Sequence, residues 1–144
     1  MHNVYDFFIE GPVPNSLLIS LKKEHCKKKA SGGHSIFLGQ IRNDKISGKE
    51  VTAIEYSAYP EMAEKKFMEI VKSIYRDFED VHSVEIIHSL GKIPAGEISL
   101  LVFVSAGHRK QAFQAVEKIV DLIKENVPIW KKEFFKDDTR RWKQ

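Results

Sequence analysis

Pro60 opens the segment that most constrains the fold. Behind it Ala63, Phe67, Ile70, Val71, Ile74 and Phe78 recur at three- and four-residue spacing and make one apolar stripe on a helix. A stripe of this kind has to be covered by a sheet or another helix. Strand-like runs flank it: residues 34–41 and 51–58 before it, residues 84–90 and 98–106 after it, the last strongly apolar. Residues 44–49 read as an exposed loop and residues 91–96 as a turn-rich connection. A short first helix is expected over Leu17, Leu18, Leu21 and Cys26, with Asn15 and Ser16 as N-caps and Ser31, Gly32 and Gly33 as its stop. Cys26 is expected to pack on the apolar side of that helix. A final helix runs from about His108 to Asn126, with Pro128 just beyond it and an irregular tail behind. Only one strand–helix–strand unit is obvious and the strand pairs suggest hairpins, so the expectation is an α+β fold rather than a doubly wound sheet. No repeat, linker or composition break divides the chain, and residues 1–144 are expected to form a single domain.

Composition narrows the class. The chain has 144 residues, 42% hydrophobic and 30% charged, which excludes collagen-like and disordered chains and allows a real core. No apolar run approaches the roughly 18–20 residues of a membrane span, so no membrane partner is expected. Residues 1–6 do not look like a secretory signal, and the single Cys26 has no partner for an internal disulfide. No Cys/His cluster has zinc spacing, so no metal is expected. Together these features fit a reducing cytoplasm. Lys and Arg number 23 against 20 Asp and Glu, a net charge of +3. That is too mild to indicate nucleic acid, though it suits an anionic small molecule.

The last helix carries the candidate chemistry. Ala112, Phe113, Val116, Ile119, Val120, Ile123 and Val127 form one apolar arc, with Arg109 inside it in the first turn. Lys124 lies roughly 80° from the arc's centre, at the border of core and solvent. A border lysine is most often a snorkelling surface residue. Arg109 and His108 sit where the helix start already carries partial positive charge, which makes sense if an anion binds there or if a nearby carboxylate pairs with them. Both alternatives stand. Beyond the helix, Trp130 is expected to anchor the chain and return Lys131 towards Lys124. Two close lysines lower each other's pKa, and a lysine so tuned can be a nucleophile or a proton carrier. Arg42 adds a cation from elsewhere. His88 reads as a core or hydrogen-bonding histidine. There is no GxGxxG, P-loop, HExxH or GxSxG motif.

Several segments taken together resemble a known family. They are Gly39-Gln40-Ile41-Arg42-Asn43, Glu55-Tyr56-Ser57-Ala58-Tyr59-Pro60-Glu61-Met62-Ala63, and Ser105-Ala106-Gly107-His108-Arg109 followed by Ala112-Phe113. Asp121-Leu122-Ile123-Lys124, Pro128-Ile129-Trp130-Lys131-Lys132-Glu133 and Trp142 complete the set. In order and spacing they resemble the catalytic (large) subunit of molybdopterin synthase, from about Gly33 to Trp142. The resemblance implies an α/β-hammerhead type of α+β fold and a sulfurtransferase without metal or other cofactor. It implies conversion of cyclic pyranopterin monophosphate to molybdopterin, with sulfur supplied by the C-terminal thiocarboxylate of a small ubiquitin-like carrier subunit. It further implies a homodimer at the core of a heterotetramer. By motif, Lys124 and Lys131 are the catalytic candidates. Gln40, Ile41, Arg42, His108, Arg109, Lys132 and Glu133 join them as substrate-binding candidates. Two departures stand out: Ser89 occupies a position where the family usually has arginine, and Gly107 one where a slightly larger residue is common. The alternative from another class is a non-catalytic paralogue or a basic binding module. The aromatics do not interleave with Lys and Arg as a nucleic-acid binder requires, and every pocket residue that a dead paralogue would have lost is present.

Overall fold

The computed structural model describes residues 7–143, so the stretch read for a secretory signal lies outside the described residues. The elements are β1 (Phe8–Glu10), α1 (Asn15–His25), β2 (Gly33–Gln40), β3 (Lys45–Ile46), β4 (Lys49–Ala58), α2 (Pro60–Asp77), β5 (Val81–Pro94), β6 (Ile98–Ala106), α3 (Arg109–Asn126), β7 (Ile129–Phe135) and β8 (Arg140–Trp142). They form one sheet in the order β2-β6-β5-β4-β7-β8, antiparallel throughout except where β1 runs parallel to β5. The expected α+β class holds.

The sheet separates two layers of helix. Along β6, Leu100, Val102, Val104 and Ala106 face the cluster built with α2 and α3, while Leu101 and Phe103 face the one under α1. This is the period of two expected for a strand covered on both faces, and it explains the continuous apolar run. On α2 the stripe residues Ala63, Phe67, Ile70 and Ile74 are all buried, and Pro60 occupies the first turn, where its missing N–H costs nothing. Among the described residues no helix is long and apolar enough to cross a membrane.

Several expectations are corrected. Residues 91–96 are not a connection: β5 continues through Gly91 to Pro94. Gly91 adopts φ +91°, and there the strand exchanges partners, pairing with β6 up to His88 and with β4 from Gly91 onward. The exposed loop at 44–49 is a tight hairpin, its turn made by Ser47 (φ 53°) and Gly48 (φ 78°), the mirror-image geometry that fits strand twist. The tail is not irregular, since β7 pairs along β4 and β8 along β7. Helix α1 begins after Pro14, so Asn15 and Ser16 lie within its first turn and make no side-chain cap, and it ends at His25, before Ser31. Cys26 is exposed rather than packed, and so are Phe113, Trp130 and Arg109. Trp130 instead meets Tyr59 edge-on, ring centroids 5.6 Å apart.

Candidate active site

The lysine end of the molecule is built by β7. The register sets Lys131 opposite Tyr56 and Lys132 opposite Glu55 on β4. Ile129, Lys131, Glu133 and Phe135 share the inward face of the strand, so Lys131 is half-buried while Lys124, on the last turn of α3, is exposed. Partial burial pushes the Lys131 ammonium below its ordinary pKa, and the positive charges of Lys143 and Lys124 push it further down. Lys124, expected to approach Lys131, thus acts on it as a like charge. Lys143, which sequence reasoning missed, joins them: β8 pairs with β7 through Trp142 opposite Lys132, and the Lys143 N–H donates to the Lys131 carbonyl at 2.8 Å.

His88 backs the same site. It is buried, its Nδ1–H donates to the Ser89 carbonyl at 2.7 Å, and its ring meets Tyr56 edge-on at 4.9 Å. Burial lowers its pKa to about 4, the Ser89 hydrogen bond opposes this, and the Lys131 charge adds to it. The histidine is thus a neutral wall, as its core reading expected. Ser89, fully buried, has a hydroxyl without a partner among the described residues.

The remaining candidates divide. Gln40, Ile41 and Arg42 leave the end of β2 remote from the start of α3. The Ile41 side chain is buried in a cluster with Val51, Ile54, Tyr56, Ile93 and Phe135, whereas Gln40 and Arg42 are exposed, Arg42 Nε lying 3.4 Å from Asp44. Lys132 Nζ sits 4.6 Å over the Trp142 ring and 3.9 Å from Glu55. The Glu133 carboxylate is fully buried and accepts from Arg141 Nε at 2.9 Å, so its side chain is held in an ion pair.

His108 and Arg109 do not join the lysines. They begin α3, and the fifteen-residue separation from Arg109 to Lys124 spans about 22 Å at 1.5 Å per residue. The helix start is already served by a carboxylate: Asp80 Oδ2 accepts from the His108 N–H at 2.7 Å and lies 3.2 Å from His108 Nδ1, while Gln111 Oε1 accepts from the Asp80 N–H at 2.9 Å. Of the two alternatives for this pair, a nearby carboxylate is the one present at His108. Arg109 has no carboxylate side chain within ion-pair distance among the described residues. A Cβ on Gly107 would collide with the Asp80 carboxylate, which explains glycine there. A shallow depression of about 570 Å³ lies at this end, lined by Glu79, Asp80, His108, Lys110 and Gln111. Among the described residues no three His, Cys, Asp or Glu side chains gather as a metal site.

Residues 16–126 match the family model described as MoaE protein. The chain belongs to the MoaE family. A Dictyostelium discoideum protein named molybdopterin synthase catalytic subunit is 45% identical over 116 residues, covering 79% of this chain and 73% of that one. An Aspergillus fumigatus protein of the same name is 40% identical over 121 residues, 84% of this chain and 63% of its own length. The crystal structure of molybdopterin synthase from Staphylococcus aureus superposes with a TM-score of 0.84 at 30% identity, over 99% of both chains. A Helicobacter pylori complex of subunits 1 and 2 of molybdopterin-converting factor contains the same fold, with a TM-score of 0.80 at 22% identity over 96% of this chain and 89% of that one. The expected family and fold are borne out.

Proposed function

We propose that this chain is the catalytic subunit of a molybdopterin synthase and that Lys131 and Lys124 are its reacting groups. As an enzyme of molybdenum-cofactor biosynthesis it has the role its relatives' names carry. The observation that carries the residue assignment is the state of Lys131: half-buried, faced by like charges, and held below its ordinary pKa. A lysine in that state exchanges a proton more readily than a solvated one. The substrate is cyclic pyranopterin monophosphate, and the sulfur donor is the C-terminal thiocarboxylate of a small ubiquitin-like subunit. One lysine either attacks the carrier's acyl carbon, expelling sulfide and forming an amide that water then cleaves, or protonates the departing oxygen as sulfur adds to the pterin side chain. Fixed cations stabilise the negative charge that accumulates as each sulfur is added.

The substrate's cyclic phosphate calls for Arg42, His108 and Arg109 as charge-assisted donors. Arg42 leaves the strand end remote from the start of α3, whereas His108 and Arg109 stand at that start. A second copy of the chain, bringing its own His108 and Arg109 to the lysine end, satisfies both facts. Strand β2 supports that assembly: it is the outer edge of the sheet, and Ile36, Phe37 and Leu38 are exposed along it. An apolar open edge invites pairing unless something covers it. The functional reading is tested by incubating the chain with cyclic pyranopterin monophosphate and thiocarboxylated carrier and assaying molybdopterin. Product from the unaltered chain and none from Lys131→Ala is expected; equal product from both would contradict the assignment.

A further inference from the structure

Strand β8 has a consequence beyond closing the sheet. Its three residues pair with β7 as Arg140 to Phe134, Arg141 to Glu133 and Trp142 to Lys132, and the ladder ends on the Lys143 N–H donating to the Lys131 carbonyl. Each rung above that point is tied down by its side chains: Arg141 on the buried Glu133, and the Trp142 ring under Lys132. Lys143 therefore leaves the sheet directly beside Lys131, with neither lysine having a carboxylate side chain within ion-pair distance among the described residues. The register thus carries Lys143 to the position facing Lys131, and like charges on facing positions of an antiparallel pair oppose one another.

The groups around Lys131 are few. Helix α3 contributes Lys124, β5 the buried neutral His88, β4 Tyr56 opposite it with Glu55 one place along, and the end of β8 Lys143. Glu55 is turned to Lys132 at 3.9 Å. Of the two cations, Lys143 acts more strongly than Lys124 on Lys131.

We propose that Lys143 is a positioning residue of the lysine site: fixed beside Lys131 by the β7–β8 ladder, its ammonium keeps Lys131 ready to release a proton. The inference rests on the reading of Lys131 as a reacting group and adds a third, non-reacting lysine to it. The expected direction does not depend on which role Lys131 plays. Removing the neighbouring charge makes Lys131 hold its proton to higher pH, so a limb due to the free amine and a limb due to the ammonium both move upward.

The test is a charge series at one exposed position, Lys143→Arg, Lys143→Gln and Lys143→Glu, with two readouts. The first is the titration midpoint of Lys131 followed by NMR on chain labelled at lysine Cε, the resonance assigned with Lys131→Arg. The second is the pH profile of molybdopterin formation. Arg keeps the charge and leaves both midpoint and limb in place; Gln moves both to higher pH, and Glu moves both further. An unmoved midpoint in Gln and Glu overturns the proposal. So does an Arg variant that behaves like Gln, which would mark a merely structural role, and so does a shifted midpoint with an unmoved limb. The NMR readout does not require turnover. If Lys131→Ala still makes molybdopterin, the functional reading fails by itself, separately from the coupling between the two lysines.

Discussion

Replacing Arg141 by Met should cost far more stability than replacing its partner Glu133 by Gln. The two face each other across β7 and β8, Arg141 Nε to Glu133 Oε1 at 2.9 Å. The Glu133 side chain is 2% exposed and that of Arg141 47%. Charges about 4 Å apart attract by about 4 kcal/mol at an effective dielectric near 20. Losing the guanidinium removes this attraction and leaves a buried carboxylate without its donor, a change that typically costs 3–5 kcal/mol. The half-exposed guanidinium is already screened by water, which sets the expected loss for Arg141→Met at about 3 kcal/mol. Glu133→Gln leaves the arginine free to turn into solvent, and about 1 kcal/mol is expected. Replacing both by Met should recover most of the loss, because neither charge is then stranded. Urea denaturation of the four proteins at one pH measures these losses. A loss under about 0.5 kcal/mol for Arg141→Met, or equal losses for the two single variants, would refute the reasoning.

Two further outcomes follow. His88, buried and with a pKa lowered to about 4, is neutral in the folded chain while the unfolded chain protonates near 6.5. The unfolded state therefore binds the extra proton first, so stability is level above about pH 6.5 and falls by about 3 kcal/mol as pH drops to 4; urea melts across that range should show the decline and His88→Leu should lose that part of it. Mixing equal amounts of inactive Lys131→Ala and Arg109→Ala chains, after exchange of subunits, should restore about a quarter of the activity if a second copy supplies Arg109, since half the dimers then carry one intact site; no recovery would place both groups in one protomer.

Much of the fold was legible because burial and periodicity coincide. The α2 stripe and the β6 run are apolar wherever they face core, and both elements form where the spacing places them. Strand β7 was not legible because of the same charged residues that make it the candidate site. Its inward positions are Ile129, Lys131, Glu133 and Phe135, and the two charged ones break the alternation that announces a strand. Gly91 misled in the same way, since a residue that usually marks a turn here lets one strand change partners. For the site, proximity of Lys124 and Lys131 followed from the short connection between them, but Lys143 arrives by strand pairing, which leaves no spacing signal in the chain. That His108 and Arg109 lie far from the lysines within one chain could not be read from motif order, which carries no distance; the length of α3 supplies it.

The most direct measurement of the central claim is molybdopterin formation by Lys124→Arg and Lys131→Arg. Arginine keeps the positive charge but stays protonated, so it serves as neither nucleophile nor proton donor at neutral pH. If the lysines act chemically, each variant remains folded and still binds the carrier subunit. Lys124→Arg then loses nearly all activity and Lys131→Arg much of it, within the 10²–10⁴-fold range typical of a group acting in the transition state. Near-normal product formation by Lys124→Arg would contradict the chemical role of that residue and reduce it to electrostatic attraction of the anionic substrate.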